Sequence, residues 1–312
     1  MKMIKGIGAG LLCAAVLLTA WILPGKAASA DAVAGEAEGY EKYISFGADL
    51  SAKERKAVLA GFGITEDDVK EYKTVTVTNA EEHQYLGDYI SASVIGKRAL
   101  SSVMIVKTEE DTGIEVETKN INYCTSSMYC NALLTAGIKD AKVTVVGPFS
   151  ISGTSALVGA MKAYAAMTGD DISEETMDAA TDELVTTAEL GDSLNDKEKA
   201  AELIAAVKQK VFEEDLASET DIRDAIESSS NALGLDLSDE DVENITDMMQ
   251  KISKVDIDVD SITSQAKDIY DKLKDSGVDL SEVDTDGLFD KVGDFFAGIF
   301  EAIVNFFKGL FG

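Results

Sequence analysis

The single imidazole of the chain is His83, in the run Glu81-Glu82-His83, so any chemistry that depends on a histidine base or ligand has to use that position. A Ser-His-Asp triad would need it, and a zinc site built on two histidines is excluded. It falls near a predicted helix start, where polar side chains cap or meet solvent. The segment Ser152-Gly153-Thr154-Ser155-Ala156-Leu157 stops short of a G-x-S-x-G nucleophile elbow, because Leu157 stands at the final glycine position. Ser152, Gly153 and Thr154 read instead as the start of a helix following a strand. Capping is their first role, and a small-anion site on the free N–H groups is the second.

Cys124 and Cys130 invite a disulfide in an oxidising compartment. Six residues apart within one regular helix, their Cα atoms would lie about 9 Å apart, beyond the ~7 Å reach of the bond. The bond is expected on the condition that the helix begins after Cys124 with a tight turn over 125–127. The two thiols are too few for zinc. Asp256, Asp258 and Asp260 imitate the opening of an EF-hand loop, but Ser261 and Lys267 occupy the positions that need Gly and Glu. No calcium loop, metal or cofactor is expected.

These residues sit in a chain of 312 with 28 Lys plus Arg against 57 Asp plus Glu, a formal charge of -29. Nucleic acid is excluded as a partner, since phosphate contacts require clustered bases. Lys2 and Lys5, an apolar run from Leu11 to Leu23, and the exit Ala28-Ser29-Ala30 form a secretory signal over residues 1–30. The run is too short to span a bilayer. Cleavage before Asp31 removes Cys13 and Trp21, the only tryptophan, which argues against sugar readout by stacked indoles. The expected address is secreted, extracellular or cell-envelope associated.

Charge divides the remainder. Residues 31–169 hold 19 acids and 13 bases, residues 170–286 hold 35 acids and 10 bases, and residues 287–312 hold three acids and two bases. Weak screening by divalent cations suits the middle segment, where like charges repel.

The first segment is an α/β domain. A capping box at Ser51-Ala52-Lys53-Glu54 starts a short helix that ends at Gly61 or Gly63. Strands are expected at 74–78, 102–106, 114–118 and 142–146, the middle two flanking a turn at Asp111-Thr112-Gly113 and the last closed by Pro148. Asn79 with Glu82 caps a helix to about Tyr89, Thr125 or Ser126 opens one that Gly137 stops, and a further helix covers 153–167. The order β-α-β-β-α-β predicts an α+β fold, a ferredoxin-like split βαβ with four strands and helices on one face.

The second segment, 170–286, is helical throughout. Val242, Ile245, Met248, Met249 and Ile252 share one face, as do Ile262, Ala266, Ile269, Tyr270 and Leu273. The phrase Gly-x-Asp-Leu-Ser at Gly47, Gly234 and Gly277 reads as a helix-exit glycine followed by a capping serine.

In the last segment, 287–312, Asp290, Asp294, Glu301, Asn305 and Lys308 fall on one stripe. Phe289, Val292, Phe296, Phe300, Ile303, Phe307 and Phe311 form the apolar surface. This amphipathic helix is expected to lie on a membrane surface, to pack on protein, or to mediate self-association.

Three phrases carry a family likeness: Asn131-Ala-Leu-Leu-Thr135-Ala-Gly137-Ile, then Ala141-Lys-Val-Thr-Val-Val-Gly-Pro148-Phe, then Ser152-Gly153-Thr154-Ser-Ala-Leu-Val-Gly159-Ala-Met-Lys-Ala-Tyr164. With Gly47-Ala-Asp49-Leu and Asn79-Ala-Glu81-Glu82-His83-Gln-Tyr85-Leu-Gly87 they resemble the YpuA-like family of secreted Gram-positive bacterial proteins, domain of unknown function 1002, over about residues 44 to 275. The resemblance implies an envelope address and supplies no catalytic residues. The leading expectation is a non-catalytic binding or structural module. The alternative is an extracellular enzyme using carboxylates and backbone donors near Ser152 to Thr154.

Overall fold

The computed structural model describes residues 42–257 except 111, 170, 171 and 256. Residues 1–30, expected to be a secretory signal, residues 287–312, expected to form an amphipathic helix, and the Asp256-Asp258-Asp260 run lie outside the described residues.

The described chain opens on a strand absent from the sequence reading, β1 (Lys42–Gly47). Its residues 43–47 are all buried, so polar-apolar alternation is missing and Ser45 breaks the apolar run. The serine is there for size. Helix α5 (Thr154–Thr168) crosses this strand so closely that a Cβ on its Gly159 would stand 2.6 Å from Ser45 Oγ. The next elements are α1 (Ala52–Phe62), β2 (Lys73–Val77), α2 (Asn79–Leu86), the single turn α3 (Ala92–Ile95), β3 (Ser102–Lys107), β4 (Ile114–Ile121), α4 (Ser126–Thr135) and β5 (Ala141–Ile151).

The fold is α+β with one mixed sheet of five strands in the order β2-β1-β3-β5-β4. This corrects the four-stranded ferredoxin-like plan. The expected hairpin partners β3 and β4 do not pair with each other. Strand β5 lies between them, antiparallel to β3 and parallel to β4. The turn that joins them is held instead by Asp140, whose Oδ1 accepts from the backbone N–H of Thr112 at 2.9 Å and of Gly113 at 3.1 Å. Pro148 also fails to end β5. The strand runs on to Ile151 through an irregularity opposite Lys119 and Ile121, where a residue without an N–H is tolerated.

Helices cover both faces of the sheet rather than one. Val58, Leu59 and Phe62 of α1 pack with Ile44, Phe46 and Val146 on one side. On the other, Leu133 of α4 and Leu157 and Met161 of α5 join Tyr43, Val103, Ile105, Val143 and Val145.

The helical expectation for the acidic segment holds throughout its described part, in α6 (Glu174–Leu194), α7 (Lys197–Glu213), α8 (Glu219–Ala232) and α9 (Asp239–Ile252). In α9, Ile245, Met248, Met249 and Ile252 are buried on the face that the spacing assigns. The Gly-x-Asp-Leu-Ser phrase at Gly234 is a helix exit followed by a capping box at Ser238 and Asp241. At Gly47 only the serine cap repeats. That glycine ends a strand, and a Cβ there would collide with the backbone of Ala99.

Helix α4 lies between the sheet and this helical layer, and nine of its ten residues are buried, its polar ones included. Lys208 of α7 and Glu183 of α6, 1% and 0% exposed, form a 2.8 Å ion pair beside it. Lys208 Nζ also donates to the Asn131 carbonyl at 2.9 Å and to Thr135 Oγ1 at 3.1 Å, while the Thr135 hydroxyl donates to Glu183. Asn131 Nδ2 reaches the Ala201 carbonyl at 2.9 Å. Removing one member strands a charge in the interior. Lys208→Met or Glu183→Gln is therefore expected to lower unfolding free energy by about 3–5 kcal/mol. The paired replacement Lys208→Met with Glu183→Leu should recover part of that loss, read from urea midpoints of the three variants.

Candidate functional site

Four of the five strands run in one direction, so β1, β2, β4 and β5 end at the same edge of the sheet, where β3 begins. Helices α1, α2, α4 and α5 start from that edge. In parallel sheets this is where ligands settle, because the helix amino ends present unpaired N–H groups there. The sequence-predicted residues Ser152, Gly153 and Thr154 stand at its centre.

Each of them is engaged inside the protein. Thr154 is buried, and its Oγ1 donates to Glu82 Oε1 at 2.9 Å. Ser152 Oγ lies 3.3 Å from Thr154 Oγ1. Gly153 sits at φ +100°, a conformation suited to glycine, and its carbonyl accepts from the Tyr129 hydroxyl at 2.5 Å. A Cβ at Gly153 would meet that hydroxyl and stand 2.7 Å from Ile121 Cγ2, so a side chain is barred by space as well as by backbone.

The expected cap on α5 comes from elsewhere. Gly153 is the N-cap residue and offers no side chain; Ser101 Oγ instead accepts from the Ala156 N–H at 3.0 Å. Ser101 and Ser155 place their hydroxyl oxygens 2.6 Å apart, and Ser155 Oγ donates to the Ser101 carbonyl at 3.1 Å.

Glu82 reaches this site through a shift of one residue in the cap of α2. The expected Asn79–Glu82 pair does not cap the helix. Thr78 is the N-cap, accepting from the Glu81 N–H at 3.2 Å, while Glu81 accepts from the Thr78 N–H at 2.7 Å. Lys162 of α5 fixes Glu81 with a 2.5 Å ion pair. Glu82 is thereby turned inward, where it is 1% exposed. Asn79 Nδ2 donates to its Oε2 at 3.2 Å. Burial pushes its carboxyl up to about 7, and Asp49 adds to the rise; the bonds from Asn79 and Thr154 and the charge of His83 pull the other way. His83 itself is exposed, with Nε2 3.1 Å from the Gly96 carbonyl.

The Cys124–Cys130 bond is not formed: Cys124 is a free thiol. The helix does begin after Cys124, as the bond required, but the thiol turns to the phenol of Tyr129. Both groups are fully buried, and burial drives the thiol up to about 12 and the phenol well above its ordinary value. Such a thiol is a poor nucleophile. Among the described residues no group of three or more His, Cys, Asp or Glu side chains comes together to hold a metal ion.

Sequence reasoning placed Thr154 and missed Glu82, Tyr129 and Ser101. In the sequence Glu82 reads as a capping residue, Tyr129 lies in an apolar helix, and Ser101 precedes a strand. No local spacing connects them, because their partners lie 24 to 72 residues away.

The fold and site define an α+β protein whose mixed sheet carries a carboxyl edge filled by its own side chains. The chain belongs to the family described as Protein of unknown function (DUF1002), whose model matches residues 46–269. It is 40% identical over 297 residues to the uncharacterized protein YpuA of Bacillus subtilis (strain 168), covering 95% of this chain and 97% of that protein. No solved structure matches.

In the folded protein at pH 8, Cys124 is expected to resist iodoacetamide, and labelling should follow only on denaturation. Peptide mapping by mass spectrometry checks this. Tyr129→Phe leaves the Gly153 carbonyl without its donor and is expected to cost about 1–3 kcal/mol in urea unfolding.

Proposed function

We propose that this protein is a secreted or cell-envelope module that binds or scaffolds without catalysing a reaction, and that residues 287–312 attach it to a surface. The observation that carries the non-catalytic half is the state of the carboxyl edge. Glu82, Thr154, Ser155 and Cys124 are all buried, and each is bonded to a neighbour in the same fold. A nucleophile or general base must reach its substrate, and these side chains reach one another. The envelope address rests on the Lys2-to-Ala30 pattern.

The alternative, an enzyme working near Ser152 to Thr154, draws on Glu82. A carboxyl raised towards neutrality at a sheet edge is a common mark of acid–base sites. Burial weighs against it.

Attachment is argued from the tail's composition. Five phenylalanines moved from water to an apolar surface contribute on the order of 10 kcal/mol before the costs of association. The tail carries net charge -1 and the whole chain -29, so charge gives no attraction to anionic lipid. Neutral vesicles are therefore the fitting probe, and divalent cations act only by screening the acidic helices.

In flotation with neutral phosphatidylcholine vesicles, the mature protein is expected to rise with the lipid. Deletion of 287–312, or Phe296→Glu with Phe300→Glu, should leave it behind, and added salt should not release the wild type. A mature protein that stays with neither vesicles nor its own copies in light scattering overturns the attachment.

A further inference from the structure

Helix α2 has two residues that hold it to α5, and they differ in kind. Glu81 is paired with Lys162, whose Nζ also donates to the Thr76 carbonyl at 2.7 Å. Glu82 has only neutral hydrogen-bond donors, the Thr154 hydroxyl and the Asn79 amide. Around it stand His83 on α2 itself, Asp49 from the turn after β1, and Tyr129 from α4. From α6, Asp178 accepts from the Tyr89 hydroxyl beyond the end of α2, and α3 contributes no charged residue. A carboxylate in that setting lacks the solvation or cation that its charge needs, whereas a carboxylic acid there is at ease and gains a donor of its own.

We propose that Glu82 is a proton-operated latch: with its proton it seats α2 against Thr154 at the amino end of α5, and without it the Glu82 turn of α2 loosens from Thr154. The latch stands apart from the tail and from its surface.

The direction follows from where the proton is held more tightly. The seated carboxyl titrates at about 7 and a freed one at the ordinary 4.5, so between these values the seated form keeps a proton that the lifted form has lost. Seating is complete in its contribution below 4.5 and is lost as pH rises through 7. One pH unit of difference is a tenfold change in equilibrium, so the full shift moves the lifted-to-seated ratio on the order of a hundredfold.

The test is hydrogen exchange of the full-length protein at pH 5.5 and pH 8, with rates corrected for intrinsic exchange, read in the peptide covering 79–86. In the wild type, protection of this peptide is expected to fall at least tenfold at the higher pH. Glu82→Gln, neutral at both, should keep it. Wild-type protection that does not change with pH, or an equal fall in the variant, overturns the latch. Should the variant fail to fold, a carbon-13 titration of the Glu82 carboxyl in the wild type decides: a midpoint near 7 that drops in Asp49→Asn supports the latch, and one at or below 4.5 overturns it.

Discussion

A helix with no face to water has to find partners inside the protein for every polar group it carries, and α4 sets that requirement for this fold. Its apolar residues are enough to hold the sheet on one side and the helical layer on the other. Asn131 and Thr135 are then trapped between layers, and Lys208 with Glu183 is the answer the sequence supplies. The pair is costly to desolvate, and its worth lies in geometry: a cation and an anion from two helices must converge on two polar groups of a third. That fixes how α6 and α7 sit against α4. The acidic helices are thus oriented against α4 by an interior ion pair and held there by apolar contact, despite a surface charge that pushes them apart.

The carboxyl edge shows the same economy with opposite effect. Four helices begin there, each with donors to satisfy, three through the residue at their own start and one through a distant element. Ser51 and Thr78 cap α1 and α2 within their own elements. Thr125 does so for α4, whereas α5 borrows the hydroxyl of Ser101. An edge that other sheets leave open for a ligand is here closed by hydroxyls, a phenol and one carboxyl.

What the sequence disclosed and what it hid follow from the range of the interactions. Capping boxes are local, so the starts of α1, α4 and α9 were legible, and so was the buried face of α9 with its period of 3.6. The cap of α2 was misplaced by one residue because Thr78 and Asn79 both cap well and Glu81 and Glu82 both answer them; Lys162, far along the chain, decides between them. Strand β1 was hidden because its Ser45 and Gly47 were selected for close approach to α5 and to Ala99. The sheet order was hidden because adjacent strand and turn signals imply a hairpin, and only tertiary packing places β5 between β3 and β4. Family likeness gave the right relatives and no site, so Glu82 had to be found from burial and bonding.

Strand β3 runs against the other four and lies at the centre of the sheet. On either side of it β1-α1-β2 and β4-α4-β5 are each compact in sequence, with parallel partners joined by their own helix. Neither half can pair the inner strand it turns toward the middle until β3 arrives between them. The half-sheets therefore carry open hydrogen-bonding edges during folding, the condition in which strands recruit neighbouring molecules. Both inner edges stay open until this one antiparallel strand is placed, so its six residues close two half-sheets at once.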